Sequence, residues 1–268
     1  MSGRVFLPGN LKGRLGNQLF AVHMALQISK FFEVPVSLPF GTNLKLFRLQ
    51  GLRLFKFDSL ISRKGLRIES RDFLSNDISV LLSMMQQSLL NNADIIIPTS
   101  LLGEGFFRFG FLPPKDLIQL RHNSISNQFS ESVALHYRGT DFAKWNPSAI
   151  MTDSFYLNSI DFLGLKDLNI NIFSDDPEST TVQRLLKILP NSKLYPEASL
   201  GETFAALSQH RYVIASPSTF SFWAALLGIS STFVISRNWI DTMNSRGDDF
   251  WPEVARNKNN YFDSVFTI

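Results

Sequence analysis

Residues Ser132–Phe142 read SVALHYRGTDF. The segment SVALHY predicts a short strand, and a polar, glycine-containing turn closes it. His136 lies just inside the strand end, and Arg138, Thr140 and Asp141 follow. Ligands of α/β sheets sit at the carboxyl ends of strands. Read as a strand end, this stretch makes the fold α/β and directs the search for chemistry to Arg138.

The segments around it alternate in the same way. TDSFYLNSIDFL (152–163) predicts a helix, and LNINIFSDDP (168–177) a strand ending in two aspartates. ESTTVQRLLKIL (178–189) and GETFAALSQ (201–209) predict helices, RYVIAS (211–216) a strand, STFSFWAALLG (218–228) a turn and helix, and STFVIS (231–236) a strand. Near the N-terminus, RVFLPGN (4–10), LKGRLGNQ (11–18), LFAVHMALQISKFF (19–32) and VPVSL (34–38) predict strand, Gly-rich turn, helix and strand. That is a βαβ unit with its glycine turn at the strand-to-helix junction. SNDISVLLSMMQQSLLNNA (75–93) predicts a helix capped by Ser75, Asn76 or Asp77, and DIIIP (94–98) a strand. LLGEGFFRFGFLPP (101–114) reads as an aromatic loop, and LIQLRHNSISNQF (117–129) as a polar bridge between two halves. Such alternation implies parallel sheets with helices on both faces.

Composition narrows the classes. The chain has 268 residues, 44% hydrophobic and 18% charged, enough for a sizeable core in one large or two ordinary domains. It has no cysteine, which excludes disulfides and thiolate metal sites and favours a reducing compartment. MSGRVFLPGN lacks the apolar core of a signal peptide. The uncharged stretch Val213–Ser236 holds eight Ser or Thr, Pro217 and Gly228, so it reads as strand, helix and strand rather than as a membrane span. A cytoplasmic protein, soluble or peripheral on the inner face of a membrane, is expected.

Charge is uneven. Residues 1–72 carry 12 Lys/Arg against 4 Asp/Glu, and residues 73–268 carry 14 against 19. A basic first third fits either an anionic partner or a solvated face. LKLFRLQGLRLFKF (44–57) interleaves four basic residues with leucines and phenylalanines. It is read as strands with basic outer positions, or as a site of peripheral attachment to anionic membrane. No basic stripe with interleaved stacking aromatics points to nucleic acid.

The predicted strand ends collect groups that suit phosphate. Gly13-Arg14-Leu15-Gly16-Asn17-Gln18 follows the first strand, Arg138, Thr140 and Asp141 follow SVALHY, Ser174, Asp175 and Asp176 follow NINIF, and Ser218, Thr219 and Ser221 open a helix after YVIAS. A helix start offers N–H groups to anions, a guanidinium holds two oxygens at once, and glycine lets the backbone approach closely.

In order, GRLGNQLF, ALHYRGTDF, FSDDP and IASPSTFSFWAALLG resemble the motifs of the α-1,2-fucosyltransferases and their bacterial lipopolysaccharide and O-antigen relatives. LLGEGFFRFGF is loosely similar to a further aromatic stretch of that family. The chain departs from the pattern at three points: Gly139 stands for a second arginine, Pro217 for an asparagine and Phe222 for a tryptophan. These departures bear on which GDP-sugar and which acceptor are used.

The resemblance implies a glycosyltransferase type B architecture of two facing Rossmann-like domains. On that reading residues 1–125 are the acceptor side and 126–268 the GDP-sugar side, with DDFWPEVARN (248–257) as the helix that could cross back. It implies an inverting, metal-independent transfer from GDP-fucose to a hydroxyl of a glycan or lipid-linked glycan, with no cofactor. The absence of any Asp-x-Asp sequence agrees with a site without metal. The leaving diphosphate would then be stabilised by Arg138, with Asn17, Ser218, Thr219 and the Phe220 N–H assisting. Gly13, Arg14 and Gly16 supply the glycine turn of the nucleotide-sugar site. His136 contacts the nucleotide or is a satisfied buried imidazole. Asp175 binds ribose or guanine, or caps the next helix. Asp141 or Glu104 is the base, unless Asp141 orients Arg138. His23 and His122 are read as structural.

Overall fold

Strands β1 (Val5–Phe6) and β2 (Val36–Ser37) pair in parallel and are joined by helix α1 (Leu15–Phe31). The predicted βαβ unit is therefore present in the computed structural model, which describes residues 3–7, 13–38, 42–50, 54–55, 65–67, 77–97, 114–121, 129, 131–246, 250–256 and 262–268. Helix α1 is buried on nearly every face, from Leu15 to Ser29. Its buried positions are mostly apolar, with His23, Gln27 and Ser29 the buried polar residues among them, as suits a helix inside a core rather than on its surface.

The chain divides into two compact units, Met1–Arg121 and His122–Ile268. In the first, β3 (Phe47–Leu49) stands apart from a five-stranded parallel sheet of order β4-β2-β1-β6-β5, in which β4 is Leu54–Phe55, β5 Gly65–Arg67 and β6 Asp94–Ile96. Helix α2 (Ile78–Leu90) leads into β6; its cap is Asp77, whose carboxylate accepts the Ser79 N–H at 2.8 Å. Arg4 closes one end of the β1–β6 pair: its Nε lies 3.2 Å from the buried Asp94 carboxylate. After the short helix α3 (Pro114–Leu117), β7 (Ile118–Leu120) pairs antiparallel with β3. In β3 Phe47 is buried and Arg48 exposed, the alternation of an ordinary strand with its basic residue outward. Gly51, Leu52, Arg53, Lys56 and Phe57 of the basic stretch, like Glu104 and His122, lie outside the described residues.

The second unit is built on a six-stranded, wholly parallel sheet of order β10-β9-β8-β11-β12-β13. β8 is Ser132–Tyr137, β9 Asn169–Ser174, β10 Ser192–Leu194, β11 Tyr212–Ala215, β12 Thr232–Ile235 and β13 Ser264–Thr267. All six residues of β8 are buried, as expected for a central parallel strand covered on both faces. Side chains alternate across it. Val133, Leu135 and Tyr137 join the core with Tyr156 and Ile160 of α5 (Asp153–Leu163) and Val182 and Leu185 of α6 (Thr180–Ile188). His136, on the other face, lies 5.9 Å from the ring of Phe220 in α8 (Thr219–Leu227). Each fully buried Val, Leu or Ile of such a core contributes about 1.5–3 kcal/mol.

Between β8 and β9 the chain also forms the short helix α4 (Phe142–Trp145), and α7 (Leu200–Leu207) precedes β11 with a complete Ser199–Glu202 capping box. The close of the chain differs from the sequence reading. Helix α9 (Arg237–Ser245) follows β12, α10 (Phe250–Arg256) packs on α9 and β13, and β13 adds a sixth strand that the sequence pattern did not announce. No described helix is long and apolar enough to cross a membrane.

From β8 the chain winds outward to β9 and β10, returns to β11 on the opposite side of β8, and winds outward again to β12 and β13. The connections thus reverse direction between β8 and β11. In open α/β sheets the crevice at such a reversal, beyond the carboxyl ends, is the ligand position.

Candidate active site

Arg138 follows β8 at this reversal, and Ser216 follows its neighbour β11. The two ends are pinned together. The Arg138 N–H donates to Ser216 Oγ at 3.0 Å, and the Ser216 N–H donates to the His136 carbonyl at 2.8 Å. Tyr156 Oη, from the buried side, donates to the same carbonyl at 3.0 Å and lies 2.9 Å from Ser216 Oγ. With the tyrosine proton spent on the carbonyl, Ser216 donates to Tyr156 and accepts from Arg138, so every group in the ring of contacts is satisfied. Burial raises the Tyr156 phenol above its ordinary range, which keeps it a neutral donor. Ser216 and Tyr156 were not singled out by the sequence: one is an ordinary serine in IASPS, and the other sits on the apolar face of a helix.

The Arg138 guanidinium is held between two carboxylates. Its Nη2 donates to Asp141, three residues on. Its Nε lies 3.0 Å from Asp175 Oδ2, an ionic contact off the N–H axis. The guanidinium carbon also stands 5.5 Å from the centre of the Phe142 ring, within cation–π range.

Asp175 also accepts the Gly139 N–H at 2.8 Å and the Thr140 hydroxyl at 2.8 Å. Burial alone would raise its pKa, but the hydrogen bond from Gly139, the Arg138 charge and the Thr140 hydroxyl together lower it. The helix-cap reading of Asp175 is therefore corrected. Ser179 caps α6, accepting the Val182 N–H at 3.3 Å, while Asp175 folds back over the turn 138–141. A side chain at 139 would crowd two neighbouring side chains. A Cβ there would meet Tyr137 Cε1 at 2.9 Å and Asp176 Oδ2 at 3.0 Å.

His136 is buried, and its Nδ1 has no hydrogen-bond partner among the described residues. Burial lowers its pKa to about 4, only partly opposed by the Asp175 charge, so the ring is neutral at pH 7. Ser218 is the N-cap residue of α8, yet its side chain makes no capping bond. Thr219 and Phe220 form the first helical positions, with the N-terminus of α8 carrying the positive end of the helix dipole.

The second unit thus brings His136, Arg138, Asp141, Asp175, Ser218, Thr219 and Phe220 to the ends of three adjacent strands. Gly13, Arg14, Gly16 and Asn17 belong to the first unit, at the junction of β1 and α1. There Gly13 has φ +79°, a left-handed conformation natural to glycine, and its carbonyl accepts Gln18 Nε2 at 2.9 Å.

The profile of glycosyl transferase family 11 matches residues 114–254, more than half of the chain and all of the β8–β12 region. The chain belongs to glycosyl transferase family 11. No curated protein matches it in sequence. Among solved structures, POFUT1 in complex with GDP-fucose superposes with a TM-score of 0.54 at 11% identity, over 83% of this chain and 93% of that one. The fucosyltransferase NodZ from Bradyrhizobium gives 0.48 at 14% identity, over 84% and 93%. The E. coli heptosyltransferase WaaC with ADP-2-deoxy-2-fluoro heptose gives 0.47 at 9%, over 87% and 89%. The likeness to POFUT1 is one of fold. Family 11 membership makes the chain a glycosyltransferase of mixed α/β fold, with parallel sheets of the type B kind.

Proposed function

We propose that the chain transfers fucose from GDP-fucose to a hydroxyl of a glycan, with inversion at the sugar carbon, an α-1,2 linkage and no divalent metal. The observation that carries the reading is Arg138. It is fixed by two carboxylates at the sheet reversal, beside the start of α8, in a family 11 chain. POFUT1 and NodZ, which share this fold pattern, are described with GDP-fucose bound or soaked in.

The chemistry follows from the groups present. The acceptor hydroxyl attacks the anomeric carbon on the face opposite the diphosphate, the bond from that carbon to the phosphate oxygen breaks, and negative charge builds on the departing GDP. The guanidinium carries one N–H on Nε, which faces Asp175 off its axis, and four on its Nη atoms, of which Asp141 takes one, leaving three Nη N–H groups for phosphate oxygens. The N-terminus of α8 adds its dipole, with Ser218, Thr219 and the Phe220 N–H as donors. Donors held in place before the charge forms act mainly on the transition state. Asp141, 35% exposed at its side chain, is the carboxylate assigned to take the acceptor proton, whereas Asp175 holds the turn. His136 meets the nucleotide as a neutral imidazole.

One observation favours a second reading, a transferase of the same fold using another GDP-sugar. A side chain at Gly139 would press on Tyr137 and Asp176, and this site has one arginine where the resembling family has two. The test is transfer of labelled fucose from GDP-fucose in the presence of EDTA, for the native chain and Arg138→Lys. Lysine keeps the charge but loses the planar fork. Turnover is expected in EDTA and is expected to fall about a hundredfold or more in the variant. Metal-dependent turnover, or near-normal turnover of Arg138→Lys, would overturn the assignment.

A further inference from the structure

Three of the four tryptophans are buried: Trp223 at 0%, Trp239 at 1% and Trp251 at 5% exposure, whereas Trp145 is 64% exposed. An indole left in water forgoes the stabilisation its siblings gain on burial. Its position ties it to the site. Trp145 ends α4, and its backbone N–H donates to the Asp141 backbone carbonyl at 2.9 Å, so the indole and the Asp141 carboxylate ride on one helical turn. Its ring lies 5.5 Å from Phe142 and 6.0 Å from the buried Trp239, which fix its orientation while most of its surface stays open. Phe142 in turn stands 5.5 Å from the Arg138 guanidinium carbon, so the indole is no more than about 11 Å from it, two successive steps of 5.5 Å.

We infer that the open face of Trp145 is the platform for a pyranose ring of the acceptor glycan, next to the hydroxyl that Asp141 deprotonates. The inference rests on the glycosyl-transfer reading. A pyranose has an apolar face of C–H groups and a rim of hydroxyls. The negative face of an indole attracts those C–H groups, and the adjacent carboxylate and the Thr140 hydroxyl suit the rim. A guanine base could also stack on an indole. The sugar is favoured because the carboxylate that meets the acceptor sits on the same turn as Trp145, while the donor contacts cluster at His136 and the start of α8. Most of the ring is outside the core, and Trp145→Phe keeps an aromatic ring against Phe142 and Trp239, so the pair of variants separates binding from folding.

The experiment is saturation-transfer NMR on the full chain with GDP present, using methyl β-D-galactopyranoside, methyl β-D-glucopyranoside and methyl N-acetyl-β-D-glucosaminide as probes. GDP affinity is titrated in parallel. The native chain is expected to transfer saturation to the ring C–H protons of at least one glycoside. Trp145→Ala is expected to weaken that binding about tenfold, Trp145→Phe to retain most of it, and both to bind GDP as the native chain does. Absence of glycoside binding by the native chain, or equal glycoside binding by Trp145→Ala, overturns the inference. So does a loss of GDP affinity in Trp145→Ala, which would assign the indole to the base. Failure of the native chain itself to bind GDP would instead count against the donor proposal, whatever the glycosides do.

Discussion

Asp175 Oδ1 accepts the Gly139 N–H at 2.8 Å, joining residues that lie 36 positions apart at the ends of β9 and β8. Through this carboxylate and its second oxygen, the backbone of the turn, the Thr140 hydroxyl and the Arg138 guanidinium share one anchor. An amide in place of the carboxylate loses the charge and sets an N–H₂ group against one of these donors. Asp175→Asn is therefore expected to lower stability by about 2–3 kcal/mol, the cost of unsatisfied part-buried partners, in a denaturant titration. If Asp175 positions Arg138, kcat falls at least about tenfold while GDP affinity changes less. An equal loss in both would mean that Asp175 binds the nucleotide itself.

Gly139 marks where this site departs from the sequence pattern it resembles. Arginine at 139 would force its Cβ against Tyr137 and Asp176. Overpacking of this kind costs about 1–3 kcal/mol. Gly139→Arg is expected to lower the melting temperature and not to raise turnover. A stable, faster Gly139→Arg variant would show that the turn tolerates the second arginine and that its absence is incidental.

Two buried histidines make stability depend on pH. Burial lowers both His136 and His210 to about 4. His210 is satisfied in its neutral form, with Nδ1 donating to the Ala206 carbonyl at 2.9 Å and Nε2 accepting from Asn171 at 2.9 Å. In the unfolded chain both titrate near about 6.5. As pH falls below that value the unfolded state binds protons that the folded state refuses, so stability drops. The slope expected between about pH 6 and pH 4.5 is up to about 2.7 kcal/mol per pH unit for the pair. Denaturant midpoints across this range check it. Substitution of either residue by Gln should roughly halve the slope, and an unchanged slope in His210→Gln would contradict the assignment.

Gly228 ends α8 where the backbone of α7 passes closest. A Cβ there would lie 1.9 Å from the Ser208 carbonyl oxygen, which also accepts the Ile229 N–H at 2.9 Å. Gly228→Ala is expected to destabilise by about 3 kcal/mol or to prevent folding, since backbone rather than a side chain must move. A variant with native melting temperature would show that the two helices can separate at little cost.

The strands and helices of the second unit were legible because their patterns are long and bounded by Gly, Pro or Ser. SVALHY, NINIF and YVIAS became β8, β9 and β11 almost residue for residue. β10 and β13 were not, because short edge strands need little apolar surface and leave little pattern. The residues that the structure gathers at the ends of β8, β9 and β11 were largely visible in the sequence, since polar and glycine-rich turns after apolar runs are distinctive. Their partners were not. That Asp175 turns back to Gly139 instead of capping α6, and that Ser216 and Tyr156 pin the end of β8, depends on contacts across 20 to 78 residues, which no local pattern encodes. Trp145 was passed over because an aromatic after a polar turn reads as core until its exposure is known.

Arg138 and the start of α8 are proposed to form a GDP-sugar site. Ligand binding raises the melting temperature by mass action. The most direct measurement is therefore a thermal-shift series of the native chain and Arg138→Ala against GDP-, UDP- and CMP-sugars. If the claim holds, GDP-fucose and GDP raise the melting temperature of the native chain, UDP- and CMP-sugars do not, and the shift is largely lost in Arg138→Ala. A larger shift with a UDP-sugar, or a GDP shift that survives intact in Arg138→Ala, would contradict it.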